Sequence, residues 1–276
     1  MALELFRRPP ILIGVVHLGP LPGAPRHAGD LAALLARAER DASALVLGGC
    51  DALLVENFGD APFHPGAVPP ETVASLALAV RELVARYPRI PIGVNVLRND
   101  ARAALGICAA TGARFLRVNV HCGAAVTDQG LIEGRAHETL RERARLAPHV
   151  AIFADAHVKH ATPLGRESLA DAVRDLVERG LADAVIVTGS ATGAPPEAEH
   201  VAQAARAAGR VPVLVGSGLS SENAPALLAH ARGAIVGSAL ERGGRAGEPV
   251  ERARVRALAQ VFASLRRARP ERRKGA

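Results

Sequence analysis

Val213-Leu214-Val215-Gly216-Ser217-Gly218-Leu219-Ser220-Ser221-Glu222-Asn223 is the stretch on which the choice of fold turns. Three apolar residues read as a strand, Gly-Ser-Gly as a tight turn, and the serines after it as the start of a helix. An open dinucleotide-binding sheet would need a third glycine at position 221 and an acidic residue about 20 positions later at a strand end. Position 221 is Ser221, and the acidic residue does not stand where it is required. Ala234-Ile235-Val236-Gly237-Ser238-Ala239-Leu240 instead repeats the strand and its Gly-Ser turn one unit later. Two such loops in register suit a closed (β/α)8 barrel, where the loops after strands seven and eight commonly hold phosphate. Glycine admits close backbone approach, the serines donate, and a helix N-terminus offers unpaired N–H groups.

Outward from this stretch, short apolar runs alternate with amphipathic ones along all 276 residues. The runs are 11–16, 52–55, 92–96, 115–120, 150–154, 184–187, 212–215 and 234–236. Helical spacing predicts helices over 31–47, 71–87, 101–111, 135–146, 166–179 and 249–268, with Asp30 and Asp100 as N-caps and Gly112 and Gly180 as terminating glycines. Nearly all-apolar strands separated by helices imply a parallel sheet covered on its outside. Eight units point to an α/β (β/α)8 TIM barrel, a single domain over 1–276 with its core at about 11–264. Residues 265–276 read as a short basic C-terminal tail.

The net charge is +7, but six basic side chains against one acidic in those last twelve residues account for +5 of it. A body carrying only +2, with 3% aromatic residues and no Trp, disfavours nucleic acid. The tail could contact an anionic membrane or RNA, and a frayed, solvated end is the expected state. No apolar run reaches the roughly 20 residues of a membrane span. Residues 1–10 contain no signal core, so the expectation is an uncleaved, cytoplasmic chain. Cys50, Cys108 and Cys122 suggest no disulfide framework; Cys122, beside His121, stays open as a nucleophile.

Rare polar residues gather at strand ends, where barrel chemistry sits. Of five asparagines, Asn57, Asn95, Asn119 and Asn99 follow strands two to four, and only Asn223 lies elsewhere. His17, Glu56, His121, Asp155 and His157 occupy other strand ends. Among 34 basic residues only Lys159 and Lys274 are lysines. A lone amine at the mouth offers what guanidinium cannot: a tunable pKa, a Schiff base or a compact point charge. If strand five stays extended, alternation places Asp155, His157 and Lys159 on one face. Asp-X-His can share a divalent metal, with Glu56, His17 or His121 completing the shell, or can work as a metal-free acid/base pair. A divalent metal is the sole cofactor candidate. Proline-rich loops at 17–30 and 57–70 lie on the same rim, as pocket walls, lids, turns or subunit contacts.

Six separated motifs occur in one order: Val16-His17-Leu18-Gly19-Pro20-Leu21-Pro22-Gly23, Val55-Glu56-Asn57-Phe58-Gly59-Asp60, Gly93-Val94-Asn95-Val96-Leu97-Arg98-Asn99-Asp100, Arg117-Val118-Asn119-Val120, Thr188-Gly189-Ser190-Ala191-Thr192-Gly193 and Val215-Gly216-Ser217-Gly218. Together they resemble the BtpA/SgcQ family over residues 11–258. That resemblance implies a phosphate-binding (β/α)8 barrel and a family named for photosystem I biogenesis, with members outside photosynthetic organisms too. It implies no defined reaction.

The expectation is an enzyme, a lyase or isomerase, acting on a small phosphorylated metabolite. Glu56, Asp155, His157 and Lys159 are the catalytic candidates. His17, Asn57, Asn95, Asn119, His121 and Thr188 are the substrate-binding candidates. Gly189, Gly216, Ser217, Gly218, Gly237 and Ser238 are the phosphate-binding ones, and Asp155, His157 and Glu56 would hold any metal. The alternative is a non-catalytic assembly factor for a membrane complex, with a sensing or vestigial pocket. Self-association is expected from the fold alone.

Overall fold

The structure, a computed structural model, describes residues 5–165, 168–189 and 194–268. Its barrel strands are β1 (Ile11–His17), β2 (Ala52–Glu56), β3 (Ile92–Asn95), β4 (Phe115–Val118), β7 (Ala151–Ala156), β9 (Ala184–Val187), β10 (Val213–Val215) and β11 (Gly233–Val236). They close in the order β1-β11-β10-β9-β7-β4-β3-β2, each paired in parallel with its neighbours. Each of the eight apolar runs in the sequence carries one of these strands. The helices are α1 (Leu31–Gly48), α2 (Pro70–Arg86), α3 (Ala101–Thr111), α4 (Ala136–Leu146), α5 (Leu169–Arg174), α6 (Ala198–Ala208), α7 (Ala224–Leu228) and α8 (Arg252–Ala268).

Strand alternation divides the apolar residues into two cores. Outward residues such as Leu12, Val16, Leu53 and Val94 pack under the helices, while Ile13, Leu54, Phe115, Phe153, Ile186, Leu214 and Ile235 fill the barrel interior. The Phe115 and Phe153 rings stack at 4.7 Å, and Phe6 approaches Phe153 at 5.9 Å from below. Position 93 must be glycine, because a Cβ there would come within 2.2 Å of the Phe115 ring. These rings pack the barrel interior, with a cavity of about 230 Å³ below them lined by Leu5, Arg114, Phe115 and Phe153, and the polar residues stand at the carboxyl-terminal end of the strands.

Helix boundaries follow the sequence signals. Asp30 and Asp100 accept from Ala33 N and Ala103 N, and Gly112 closes α3 in the left-handed region, at φ 87°. Gly180 differs. It keeps a right-handed φ of −80° after a π-helical turn, Asp175–Arg179, and a Cβ there would meet Cys122 Sγ at 2.7 Å. Its role is to make room for the 121–122 loop. Arg166, the expected start of the fifth helix, lies outside the described residues.

Two features depart from expectation. An antiparallel sheet, β6-β5-β8, is added beside the mouth from β5 (Ala124–Thr127), β6 (Gly130–Glu133) and β8 (Ala161–Pro163). The helix after the Gly-Ser-Gly turn is only α7, five residues long. The last basic stretch begins inside the helix: positions 265–268 finish α8, as the helical spacing over 249–268 predicts, and Arg266 pairs with Asp51 and donates to Pro10 O at 2.8 Å. Positions 269–276 lie outside the described residues. No helix among the described residues is long and apolar enough to cross a membrane.

Candidate active site

The same alternation that fills the barrel also builds its mouth. On β1 the inward series Ile11, Ile13, Val15 leads to His17, and on β2 Ala52 and Leu54 lead to Glu56. On β4 Phe115 leads to Arg117 and then Asn119, and on β7 Ala151 and Phe153 lead to Asp155. Asn95 and Gly237 complete the layer from β3 and β11. Polar side chains therefore stand one pleat above the apolar interior, largely withdrawn from solvent: Glu56 is 7% exposed and Asn95 1%.

Two adjoining cavities of about 220 and 400 Å³ open onto this layer and share Glu56, Phe58, Arg117 and Lys159. The smaller is walled by His17, residues 216–220 and residues 236–239, so Gly216, Ser217, Gly218, Gly237 and Ser238 all line it. The larger takes in Asn95, Arg98, Asn119, Asp128 and His160. Gly218, at φ 66°, turns the strand-seven loop where a Cβ would lie 2.1 Å from Pro195 N.

Arg117 and Asp155 join the floor by two hydrogen bonds of 3.0 Å, from Nε to Oδ2 and from Nη2 to Oδ1. Asn119 donates to Asp155 Oδ2 at 2.7 Å, and Asn95 donates to Arg117 O at 3.1 Å and Asn119 Oδ1 at 3.3 Å. Burial works against the Arg117 charge, but the Asp155 and Glu56 carboxylates together outweigh it and raise the guanidinium pKa. On the opposite wall His17 Nδ1–H donates to Glu241 Oε1 at 2.7 Å, while Nε2 faces Glu56 Oε1 at 3.9 Å. Glu241 Oε2 in turn accepts from Gly247 N. Lys159 arrives from the loop beyond β7, its carbonyl held by Arg98 Nη2 at 2.8 Å. Burial, then the Arg117 charge, lowers its pKa below the ordinary lysine range.

Of the four catalytic candidates, Glu56 and Lys159 reach the cavities. Asp155 lies beneath them with its oxygens engaged by Arg117 and Asn119. His157 does not line them: β7 ends at Ala156, and a φ of 52° at His157 turns the chain, so alternation no longer relates it to Asp155. Thr188 spends its hydroxyl on His157 O at 3.4 Å. Asn57 has the outward parity and ties its loop to Leu97 N at 2.7 Å. His121 is buried against Gly180 O, away from the mouth beside Cys122, where burial lowers its pKa. Gly189 does not line the cavities but braces the Gly-Ser-Gly turn, its N–H donating to Ser217 Oγ, which itself donates to Ala194 O. Ser190 lies outside the described residues. Asp155, His157 and Glu56 do not assemble as a metal trio. Among the described residues no group of three His, Cys, Asp or Glu is arranged to hold an ion.

Residues 8–264 match the BtpA family. The chain belongs to that family. It is 48% identical to the photosystem I biogenesis protein BtpA of a Synechocystis strain, over 94% of this chain and 90% of that protein. It is 49% identical to an uncharacterized protein of Thermococcus kodakarensis, over 95% of this chain and 98% of the relative. Among solved structures it is similar to phosphoribosyl anthranilate isomerase from Thermus thermophilus, with a TM-score of 0.57 at 14% identity, covering 92% of this chain and 99% of that one. At that identity the likeness concerns the fold alone.

Within this family member, sequence reasoning missed Arg117, Arg98, Phe58 and Glu241. Arg117 carried a readable signal: a charge inside Phe115-Leu116-Arg117-Val118, in phase with Asn119 and so inward-facing. Arg98, Phe58 and Glu241 sit on loops, where no period reports direction. Phe58 reaches the site by stacking its ring 4.5 Å from that of His17.

Proposed function

We propose that the chain is an enzyme of lyase or isomerase type acting on a small phosphorylated metabolite at the barrel mouth. One observation carries this reading: a single pair of joined cavities has a glycine-serine wall at 216–218 and 237–238 and, facing it, Glu56, Lys159 and Arg117. The backbone wall suits a phosphate, and the Arg117 guanidinium suits its charge. Glu56, whose carboxylate has no hydrogen bond among the described residues, faces the cavity as a proton carrier beside the His17 imidazole. Asn95 and Asn119 orient hydroxyls from the larger lobe. Thermal denaturation in the presence of inorganic phosphate and a set of sugar phosphates tests the reading. Stabilisation that is lost on substituting Gly218 or Ser238 is expected; indifference to every phosphorylated compound would overturn it.

A second reading, a non-catalytic assembly factor for a membrane complex, is favoured by the name of the Synechocystis relative. It predicts that variants of Glu56 and Lys159 keep full assembly competence, whereas the enzymatic reading predicts that they lose it wherever turnover is needed.

A further inference from the structure

Resting on the phosphate reading, we propose that Lys159 captures the substrate's carbonyl carbon as an imine, so that the ligands are phosphorylated aldehydes or ketones. Lys159 is the single lysine among the described residues, in a chain that otherwise meets its need for positive charge with arginine. It lines both lobes, and shares the smaller one with the glycine-serine wall. A lysine serving as a structural cation would sit in an ion pair, and this ammonium has neither an ion-pair nor a hydrogen-bond partner among the described residues. The nearby carboxylates are otherwise disposed: Asp155 is taken by Arg117 and Asn119, and Glu56 is turned toward His17. Burial and the flanking Arg117 and Arg98 charges favour the neutral amine, which is the nucleophilic form.

A second, independent observation points to a ligand in the larger lobe. Asn95 is 1% exposed, lines that lobe, and its Oδ1 has no hydrogen-bond partner among the described residues. A buried acceptor left unmet is costly, and a substrate hydroxyl next to the carbonyl would satisfy it. Phosphate in the smaller lobe, carbonyl at the junction and hydroxyl in the larger lobe describe one extended molecule.

The chemistry balances without an added oxidant or reductant. The Lys159 Nζ lone pair forms a bond to the carbonyl carbon while the C=O π pair moves to oxygen. Glu56 carries one proton from nitrogen to that oxygen, giving a carbinolamine. The second nitrogen proton follows the same route, the C–O bond breaks, and water leaves as the C=N bond forms. Once protonated, the imine draws electrons from the adjacent carbon, which is the demand shared by carbon–carbon cleavage and carbonyl migration.

The test is reductive trapping on the full chain. Glyceraldehyde 3-phosphate and dihydroxyacetone phosphate are each incubated with the protein and sodium borohydride, and the adduct is located by peptide mass mapping. A single adduct on Lys159 is expected, absent from Lys159→Arg, and about tenfold or more weaker with unphosphorylated glyceraldehyde, as the loss of a charge-assisted contact implies. Lys159→Met, checked for cooperative melting, guards against a folding artefact in the arginine variant. Adducts spread evenly over Lys159, Lys274 and the terminal amine, or none on Lys159, would overturn the proposal. Two outcomes separate it from the reading beneath it. Stabilisation by phosphate without trapping removes only the imine, and equal trapping of the phosphorylated and unphosphorylated aldehydes removes only the phosphate site.

Discussion

Arg117 and Asp155, on neighbouring strands of the barrel, share a two-point ion pair in which both side chains are almost wholly buried. Its consequence is a division of labour. Asp155 supplies no free oxygen to a ligand, and Arg117, half neutralised from below, presents the rest of its guanidinium to both lobes. A charge that would be costly to leave alone inside a barrel is thereby held in place at the floor of both cavities.

Removing either partner strands the other. Asp155→Ala is expected to lower stability by about 3–5 kcal/mol, the cost of an uncompensated buried charge. The paired replacement Arg117→Met with Asp155→Leu should recover much of that loss while abolishing anion binding. Urea denaturation of Arg117→Met, Asp155→Leu and their combination checks this; additive losses in the double variant would show that the two groups are not coupled.

The orientation of His17 rests on Glu241. With Nδ1–H donating to Glu241 Oε1 at 2.7 Å, the neutral imidazole keeps its lone pair on Nε2, toward Glu56 and the cavity. Glu241→Leu is expected to release this tautomer and leave Gly247 N without its acceptor. Nitrogen-15 chemical shifts of His17 report the change directly, and an unaltered Nδ1–H form in the variant would remove Glu241 from this role.

Strand parity explains what could be read from the sequence. Glu56, Asn95 and Asn119 were legible because each extends an inward series by one pleat, and Asn57, one residue past Glu56, faces the other way for the same reason. His157 was misread because the extended strand ends at Ala156, and its positive φ leaves no mark in the sequence pattern. Lys159 reaches the mouth by that very turn: its place was anticipated, but by the wrong route. The accessory sheet escaped notice because its strands are short and half-exposed, and so lack the continuous apolar signal of the barrel runs.

Gly237 places a limit on the wall that faces His17. A Cβ at that position would lie 2.6 Å from His17 Cε1. Gly237→Ala should cost about 1–3 kcal/mol, as overpacking does. It should also push the imidazole off Glu241, so phosphate affinity falls together with stability. Calorimetric titration with inorganic phosphate, beside thermal melting, measures both; unchanged affinity would mean that this glycine does not shape the binding wall.

His121 gives the fold an acid sensitivity away from the mouth. Its Nε2–H donates to Gly180 O at 2.8 Å, and its buried Nδ1 has no partner among the described residues. Burial lowers its pKa, and the neighbouring Arg143 charge acts in the same direction against the opposing pull of Asp183. The unfolded chain therefore takes up this proton at a higher pH than the folded one. Where the unfolded state binds more protons, stability rises with pH. The His121 contribution is thus level above the ordinary histidine pKa of about 6.5 and falls as the pH drops below it, until the folded-state group titrates as well. His121→Gln keeps a donor for Gly180 O but cannot protonate in this range. Its melting temperature should decline less between neutral and mildly acidic pH than that of the wild type, and parallel declines would show that another group carries the acid sensitivity.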